Sequence, residues 1–205
     1  MNNGFGSFYD RSDYSVSLHP ADIIATDLNN DGYYDIVTNN LQILYNDGAG
    51  GFEPFVELNG GGTEVFAADI NYDGHIDLIT AGGSLNNVHV VMNLGMGEFA
   101  TPVDYPVGKQ VSSIYLADFN GDLDLDIAAA NSDNSTQQVS ILQNNGNGIF
   151  GTPVSYNVAS PPVSITSADF DGDGDNDIAV GLDFSINVLL NNGDATFSSY
   201  TSWDT

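Results

Sequence analysis

Cysteine is absent from this 205-residue chain, so it can build no disulfide framework, thiolate nucleophile or zinc–thiolate centre. Positive charge is almost as scarce. Arg11 and Lys109 are the only basic side chains against 28 acidic ones, a formal net charge of −26. Such a surface repels a nucleic-acid duplex or an anionic bilayer, which removes nucleic-acid binding from consideration. No apolar run reaches the roughly 18 residues that a membrane-spanning helix requires, and the opening MNNGFGSF has no signal-peptide character. Catalytic residues are sparse as well. His19, His75 and His89 fall at different phases of the repeat described below and read as surface or loop residues. There is no Ser-His-Asp order and no phosphate loop, so no enzyme is expected. The single tryptophan, Trp203, reads as strand packing.

What is present is acidic and periodic. Four nonapeptides, DLNNDGYYD (27–35), DINYDGHID (69–77), DFNGDLDLD (118–126) and DFDGDGDND (169–177), hold fifteen of the 28 acidic residues. Carboxylates or amides recur at positions 1, 3, 5 and 9, with glycine at position 6 in three of the four copies. That is the spacing by which a tight loop wraps oxygen ligands around a hard divalent cation. The first loop assigns Asp27, Asn29, Asp31 and Asp35 as side-chain ligands, with the Tyr33 carbonyl at position 7. The second assigns Asp69, Asn71, Asp73 and Asp77 with the His75 carbonyl. The fourth assigns Asp169, Asp171, Asp173 and Asp177 with the Asp175 carbonyl. In the third, Asp118, Asn120, Asp122 and Asp126 remain, Asp124 adds a charge, and Leu123 replaces the glycine. An oxygen-only donor set favours Ca²⁺ over Zn²⁺ or Cu²⁺. Four structural Ca²⁺ ions are expected, the third bound most weakly, and they would bring the charge of −26 to −18.

The loops begin at 27, 69, 118 and 169, intervals of 42, 49 and 51 residues. A second motif keeps the same beat: NNGFGSF (2–8), NDGAGGF (46–52), NLGMGEF (93–99), NNGNGIF (144–150) and NNGDATF (191–197). Short β-rich runs flank each acidic loop, DIIAT and DIVT around the first and SITSA and DIAV around the last. None has a helical stripe. A third run, such as LQILYN or VHVVMN, then enters the Asn-Gly turn, a hairpin signal, and a fourth is expected to begin at the phenylalanine after it. Every period therefore reads as four antiparallel strands, the unit of a β-propeller blade. The expected fold is all-β, with blades at about 20–60, 61–108, 109–160 and 161–205.

The pattern D-x-[DN]-x-D-G-x-x-D-[IL], together with NNGxGxF and a Thr-Pro-Val that follows in two copies, resembles the FG-GAP/VCBS repeat family. That family includes the integrin α-subunit head and many bacterial surface proteins. The resemblance covers nearly the whole chain. It implies a non-enzymatic extracellular protein of adhesion, recognition or scaffolding, with a glycan or cell-surface protein as partner. Recognition would use loops opposite the metal sites, such as Gly82 to Asn87 and Asn131 to Gln138, the second of which holds the sequon Asn134-Ser135-Thr136.

One count does not close: four acidic loops accompany five Asn-Gly turns. The extra turn lies at the start, so residues 1–19 read as a surplus outer strand, alternating from Phe8 to Leu18. The last blade already owns an outer strand, about Phe197 to Trp203. Three arrangements stay open: a cut from a longer propeller, a closed four-blade ring with an appendage, or a self-assembling fibre subunit. In the last, residues 1–19 join a neighbour's open edge by β-strand addition.

Overall fold

The apolar runs on either side of each acidic loop form neighbouring antiparallel strands, and the loop connects them. The computed structural model describes residues 12–82, 86–133, 135 and 137–204, with side chains described through Ser198. Blade 1 comprises β1 (Ile23–Thr26), β2 (Asp35–Thr38), β3 (Gln42–Leu44) and β4 (Val56–Glu57). Blade 2 comprises β5 (Glu64–Ala68), β6 (Asp77–Ala81), β7 (Asn87–Val91) and β10 (Val103–Pro106), with its turn drawn into a ribbon of β8 (Asn93–Gly95) and β9 (Glu98–Phe99). Blade 3 comprises β11 (Val111–Ala117), β12 (Asp126–Asn131), β13 (Gln138–Leu142) and β14 (Val154–Asn157). Blade 4 comprises β15 (Ser164–Ala168), β16 (Asp177–Gly181), β17 (Ser185–Asn191) and β18 (Phe197–Asp204). Each blade is a four-stranded antiparallel sheet in sequence order, and the described residues contain no helix.

The outer strands differ from expectation at their starts. Only β18 begins at the phenylalanine after the turn; β4, β10 and β14 each begin four residues after theirs. Pro54, Pro102 and Pro153 follow the other phenylalanines, and each removes a backbone donor from the ladder. In blades 1 and 3 the turn is closed by single bridges, Asn46↔Phe52 and Asn144↔Phe150.

Side-chain alternation gives every blade two apolar faces, and successive blades pack face to face. Val37 and Ile43 of blade 1 meet Val65, Leu78 and Val91 of blade 2. Ile79 and Val90 meet Ile114, Ile127 and Leu142 of blade 3. Ala128, Val139 and Ile141 meet Ile165, Ile178 and Leu189 of blade 4. Burying each such aliphatic side chain contributes about 1.5–3 kcal/mol. None of the three clusters joins blade 4 to blade 1, so the described residues form an open arc rather than a closed four-blade ring.

His89 is a correction to the sequence reading. It is not a surface or loop residue but a buried one in β7, 3% exposed, with Nδ1 2.5 Å from Asp104 Oδ1 on β10. Gln42, Ser140 and Asn187 hold the equivalent third-strand position and are also buried. The alternation of VHVVM assigns this histidine to the face turned toward blade 1.

Of the expected surplus strand, residues 1–11 lie outside the described residues, and residues 12–19 form no β ladder. Their position is nevertheless that of an outer strand. The Tyr14 ring meets Phe52 edge-on at 5.3 Å, as Tyr105 meets Phe150 at 5.4 Å and Tyr156 meets Phe197 at 5.2 Å. In the latter two pairs the tyrosine belongs to one blade's outer strand and the phenylalanine to the next blade's turn. Tyr14 therefore stands where a blade preceding the first would place its own.

Candidate metal centres

Each acidic loop is wound by its own side chains accepting hydrogen bonds from its backbone, the local bonding that Asp and Asn favour in turns. Asp27 accepts from the amides of Asp31 at 3.1 Å and Gly32 at 2.8 Å, and Asp31 accepts from Tyr33 at 2.8 Å. The second loop repeats this: Asp69 accepts from Asp73 at 3.2 Å and Gly74 at 2.9 Å, and Asp73 from His75 at 2.8 Å. Asp118 and Asp169 curl their loops in the same way, through the amides of Leu123 at 2.9 Å and Gly174 at 3.1 Å. Asn29, Asn71 and Asn120 at position 3 each accept from the position-5 amide at 3.0 Å.

The ninth-position carboxylates are built differently. Asp35, Asp77, Asp126 and Asp177 are fully buried at the heads of β2, β6, β12 and β16. One oxygen of each accepts from the position-2 amide and the other from the asparagine that opens the following turn. For Asp77 the donors are Ile70 at 3.1 Å and Asn93 at 2.8 Å; for Asp126 they are Phe119 at 3.1 Å and Asn144 at 2.8 Å. Burial pushes the Asp77 and Asp126 carboxyls up to about 6 despite those amides, and raises Asp35 as well. Neighbouring carboxylates of the same loops raise them further. Buried charge of one sign requires a counter-charge, and no cation among the described residues supplies it. Lys109 pairs with Asp133 at 3.8 Å, outside the loops.

These residues fit a hard divalent cation. Carboxylate oxygens of Asp169, Asp171 and Asp177 already lie within 4.8 Å of one another. Bound there, the cation would supply the charge that the buried carboxylates lack. The loops at 27–35, 69–77 and 118–126 share the fourth loop's curl of backbone amides onto the first aspartate and its buried ninth-position aspartate, with asparagine at position 3.

Two positions in each loop adopt left-handed backbone, where the sequence pointed to one. At position 6 these are Gly32, Gly74, Gly174 and, at φ 74°, Leu123. At position 4 they are Asn30, Tyr72, Gly121 and Gly172, with φ between 59° and 85°. Asn and Gly signal position 4 in three copies, and Tyr72 conceals it in the fourth. Leu123 is 79% exposed, so its strain buys no packing. Left-handed geometry costs a residue with a Cβ about 1–2 kcal/mol. Leu123→Gly is therefore expected to tighten Ca²⁺ at the third loop by about fivefold, read by calorimetric titration.

The turn asparagines do more than close hairpins, the one role their Asn-Gly motif signals in sequence. Asn93 Nδ2 donates to the Leu28 carbonyl at 2.8 Å and to Ile76 at 3.0 Å. Asn144 donates to Ile70 at 2.8 Å and Leu125 at 3.3 Å, and Asn191 to Phe119 at 2.7 Å and Asn176 at 2.9 Å. Each thus ties position 8 of its own acidic loop to position 2 of the preceding blade's loop. Asn30 Nδ2 also lies 3.1 Å from His75 Nδ1, and the Tyr72 hydroxyl donates to the Leu123 carbonyl. The four centres form one connected row along one edge of the arc.

The model of the FG-GAP-like repeat matches residues 27–80, 69–129 and 118–180, each match running from one acidic loop through the next. The chain belongs to the FG-GAP-like repeat family. Among solved structures this FG-GAP-like chain is similar to an Agrocybe aegerita lectin that recognises non-reducing terminal N-acetylglucosamine. The identity is 22% over 87% of this chain and 50% of the lectin, with a TM-score of 0.56. It is also similar to BBS1N, solved in complex with ARL6DN, at 16% identity over 93% of this chain and 59% of BBS1N, with a TM-score of 0.63. The FG-GAP-like chain thus spans about half to three-fifths of these structures, and at such identity the likeness establishes the β-propeller type of fold. No curated protein matches it.

Of the loops expected to meet a partner, residues 83–85, 134 and 136 lie outside the described residues. Tyr33, Tyr34 and Tyr72 in the acidic loops are 49%, 70% and 59% exposed. Beside the first loop opens a cavity of about 380 Å³, lined by Asp31, Tyr33, Tyr45, Asp47, Glu53 and Gly97. No helix of the described residues is long and apolar enough to cross a membrane.

Proposed function

We propose that this FG-GAP-like chain is a non-enzymatic, extracellular calcium-binding protein that recognises glycans or cell-surface proteins. The observation that carries the calcium reading is the set of four ninth-position carboxylates, buried without a cationic partner among the described residues and each beside further carboxylates. Structural Ca²⁺ would be held at Asp27, Asn29, Asp31 and Asp35, and at their counterparts in the other three loops, with the carbonyl at position 7. Such sites in extracellular modules fill at about 10⁻⁴–10⁻³ M, which suits a protein working outside the cell. Recognition draws support from the cavity beside the first loop, where two tyrosine rings and three carboxylates converge. Aromatic faces with carboxylate acceptors suit the faces and hydroxyls of a sugar. The similar lectin points the same way. A glycan array probed in Ca²⁺ and again in EDTA tests this. Calcium-dependent binding that Tyr33→Ala abolishes is the expected result; a blank array in Ca²⁺ rejects the glycan.

A second reading is a structural subunit of an extracellular fibre, joined by β-strand addition of residues 1–19 to a neighbour. Tyr14 favours it, because its segment holds an outer-strand place yet forms no β ladder with the described residues.

A further inference from the structure

The two ends of the arc carry matching sets of contacts that the described residues leave unmade. Ile23, which opens β1, faces outward and is 61% exposed. Its equivalents Val65, Ile114 and Ile165, paired likewise with Thr80, Ala129 and Val180, are 2%, 1% and 6% exposed against the preceding blade. At the other end, Phe170 at position 2 of the fourth loop is 49% exposed. Leu28, Ile70 and Phe119 at the same position are each 1% exposed, covered by the following blade. Ala179 and Val188 on the outward face of blade 4 are only half-buried. Val37, Ile79 and Ala128, which correspond to Ala179, are completely buried.

The polar ties are unmatched in the same way. Asn93, Asn144 and Asn191 each donate both to their own loop and to the preceding blade. Asn46, the first of the series, donates among the described residues to the Tyr34 carbonyl alone, at 3.1 Å. The carbonyl equivalent to Leu28, Ile70 and Phe119 in blade 4 is that of Phe170, and no described residue of a following blade reaches it. One end thus presents a donor and an apolar face, and the other presents the complementary acceptor and face. Within the chain this pair of surfaces has already packed three times.

We propose that the occupant is a second copy of this chain: blade 4 of one copy seats on blade 1 of the other, head to tail, with Asn46 donating to the Phe170 carbonyl across the joint. Two arcs of four blades make eight, within the range that propellers close, so both joints form and the pair is a closed ring. The partner's β18 brings its own outer strand to the joint. Its register sets Trp203 opposite Ile186, as Tyr105 is set opposite Val88 and Tyr156 opposite Val139. Residues 12–18 hold that place in the single chain and are displaced on docking.

The test is particle mass by light scattering at saturating Ca²⁺. The expected value is 43.4 kDa, twice the 21.7 kDa of one chain. Ala25→Glu on the outward face of β1 and Val188→Asp on that of β17 should each give single chains that stay folded, with an unchanged far-ultraviolet circular dichroism spectrum. Mixing these two variants should restore a pair, because one joint then has both native faces. Deleting residues 1–18 should leave the pair intact, whereas the strand-addition reading requires that deletion to abolish association. A native chain that stays at 21.7 kDa, one that grows into polymers, or a mixture of variants that fails to pair overturns the proposal.

Discussion

In EDTA the melting temperature of this chain is expected to fall by about 20 °C or more. A ligand present at a hundred times its Kd stabilises the fold by about 2.7 kcal/mol per site. Each kcal/mol moves the melt of a chain of this size by about 2–4 °C. Four sites therefore account for the shift, and scanning calorimetry in about 10 mM Ca²⁺, a hundred times a Kd of about 10⁻⁴ M, and in EDTA measures it. The pH dependence should also reverse on chelation. Without metal, the Asp77 and Asp126 carboxyls titrate near 6 in the folded chain, pushed up chiefly by burial, against an ordinary value of 3.8. Between about pH 4 and pH 6 the folded chain then binds more protons than the unfolded one. Its stability falls as pH rises through that window. The metal-free chain is accordingly expected to melt higher at pH 5 than at pH 7. The Ca²⁺-loaded chain should melt lower at pH 5, because protons compete with the metal for the same oxygens.

Asn144→Ala should cost about 2–4 kcal/mol, as large an effect as a core truncation. The side chain is 3% exposed and bonded on both its amide atoms. Its removal strands the carbonyls of Ile70 and Leu125 and takes the acceptor from the amides of Gly146 at 3.2 Å and Gly148 at 3.0 Å. A buried polar group left without its partner costs about 1–3 kcal/mol. The tie joins blade 3 to the second acidic loop, so the variant should also weaken Ca²⁺ at that loop. Urea unfolding monitored at saturating Ca²⁺ gives the first quantity and calorimetric titration the second.

The blade plan was readable in the sequence because its signals are local. An Asp-rich loop between two apolar runs, followed by an Asn-Gly turn, specifies three strands and two connections without reference to anything distant. Leu123 was likewise readable as a misfit, since a fixed loop frame demands left-handed backbone at its sixth residue, and φ there is 74°. What escaped depends on neighbours far along the chain. The role of Asn93 lies in a carbonyl 65 residues away, and that of Asn191 in one 72 residues away. His89 looked like a stray polar residue because its partner, Asp104, is on another strand. The surplus first segment was visible as a miscount of turns. Its outer-strand place showed only when Tyr14 met Phe52.

The central claim is that the buried ninth-position carboxylates are half of four metal centres. Counting bound Ca²⁺ per chain by calorimetric titration or equilibrium dialysis tests it most directly, with the Asp177→Ala variant run alongside. Four saturable Ca²⁺ per native chain, three in the variant, and the third loop weakest is the predicted result. No saturable binding at millimolar Ca²⁺, or an unchanged count when Asp177 is removed, would contradict it.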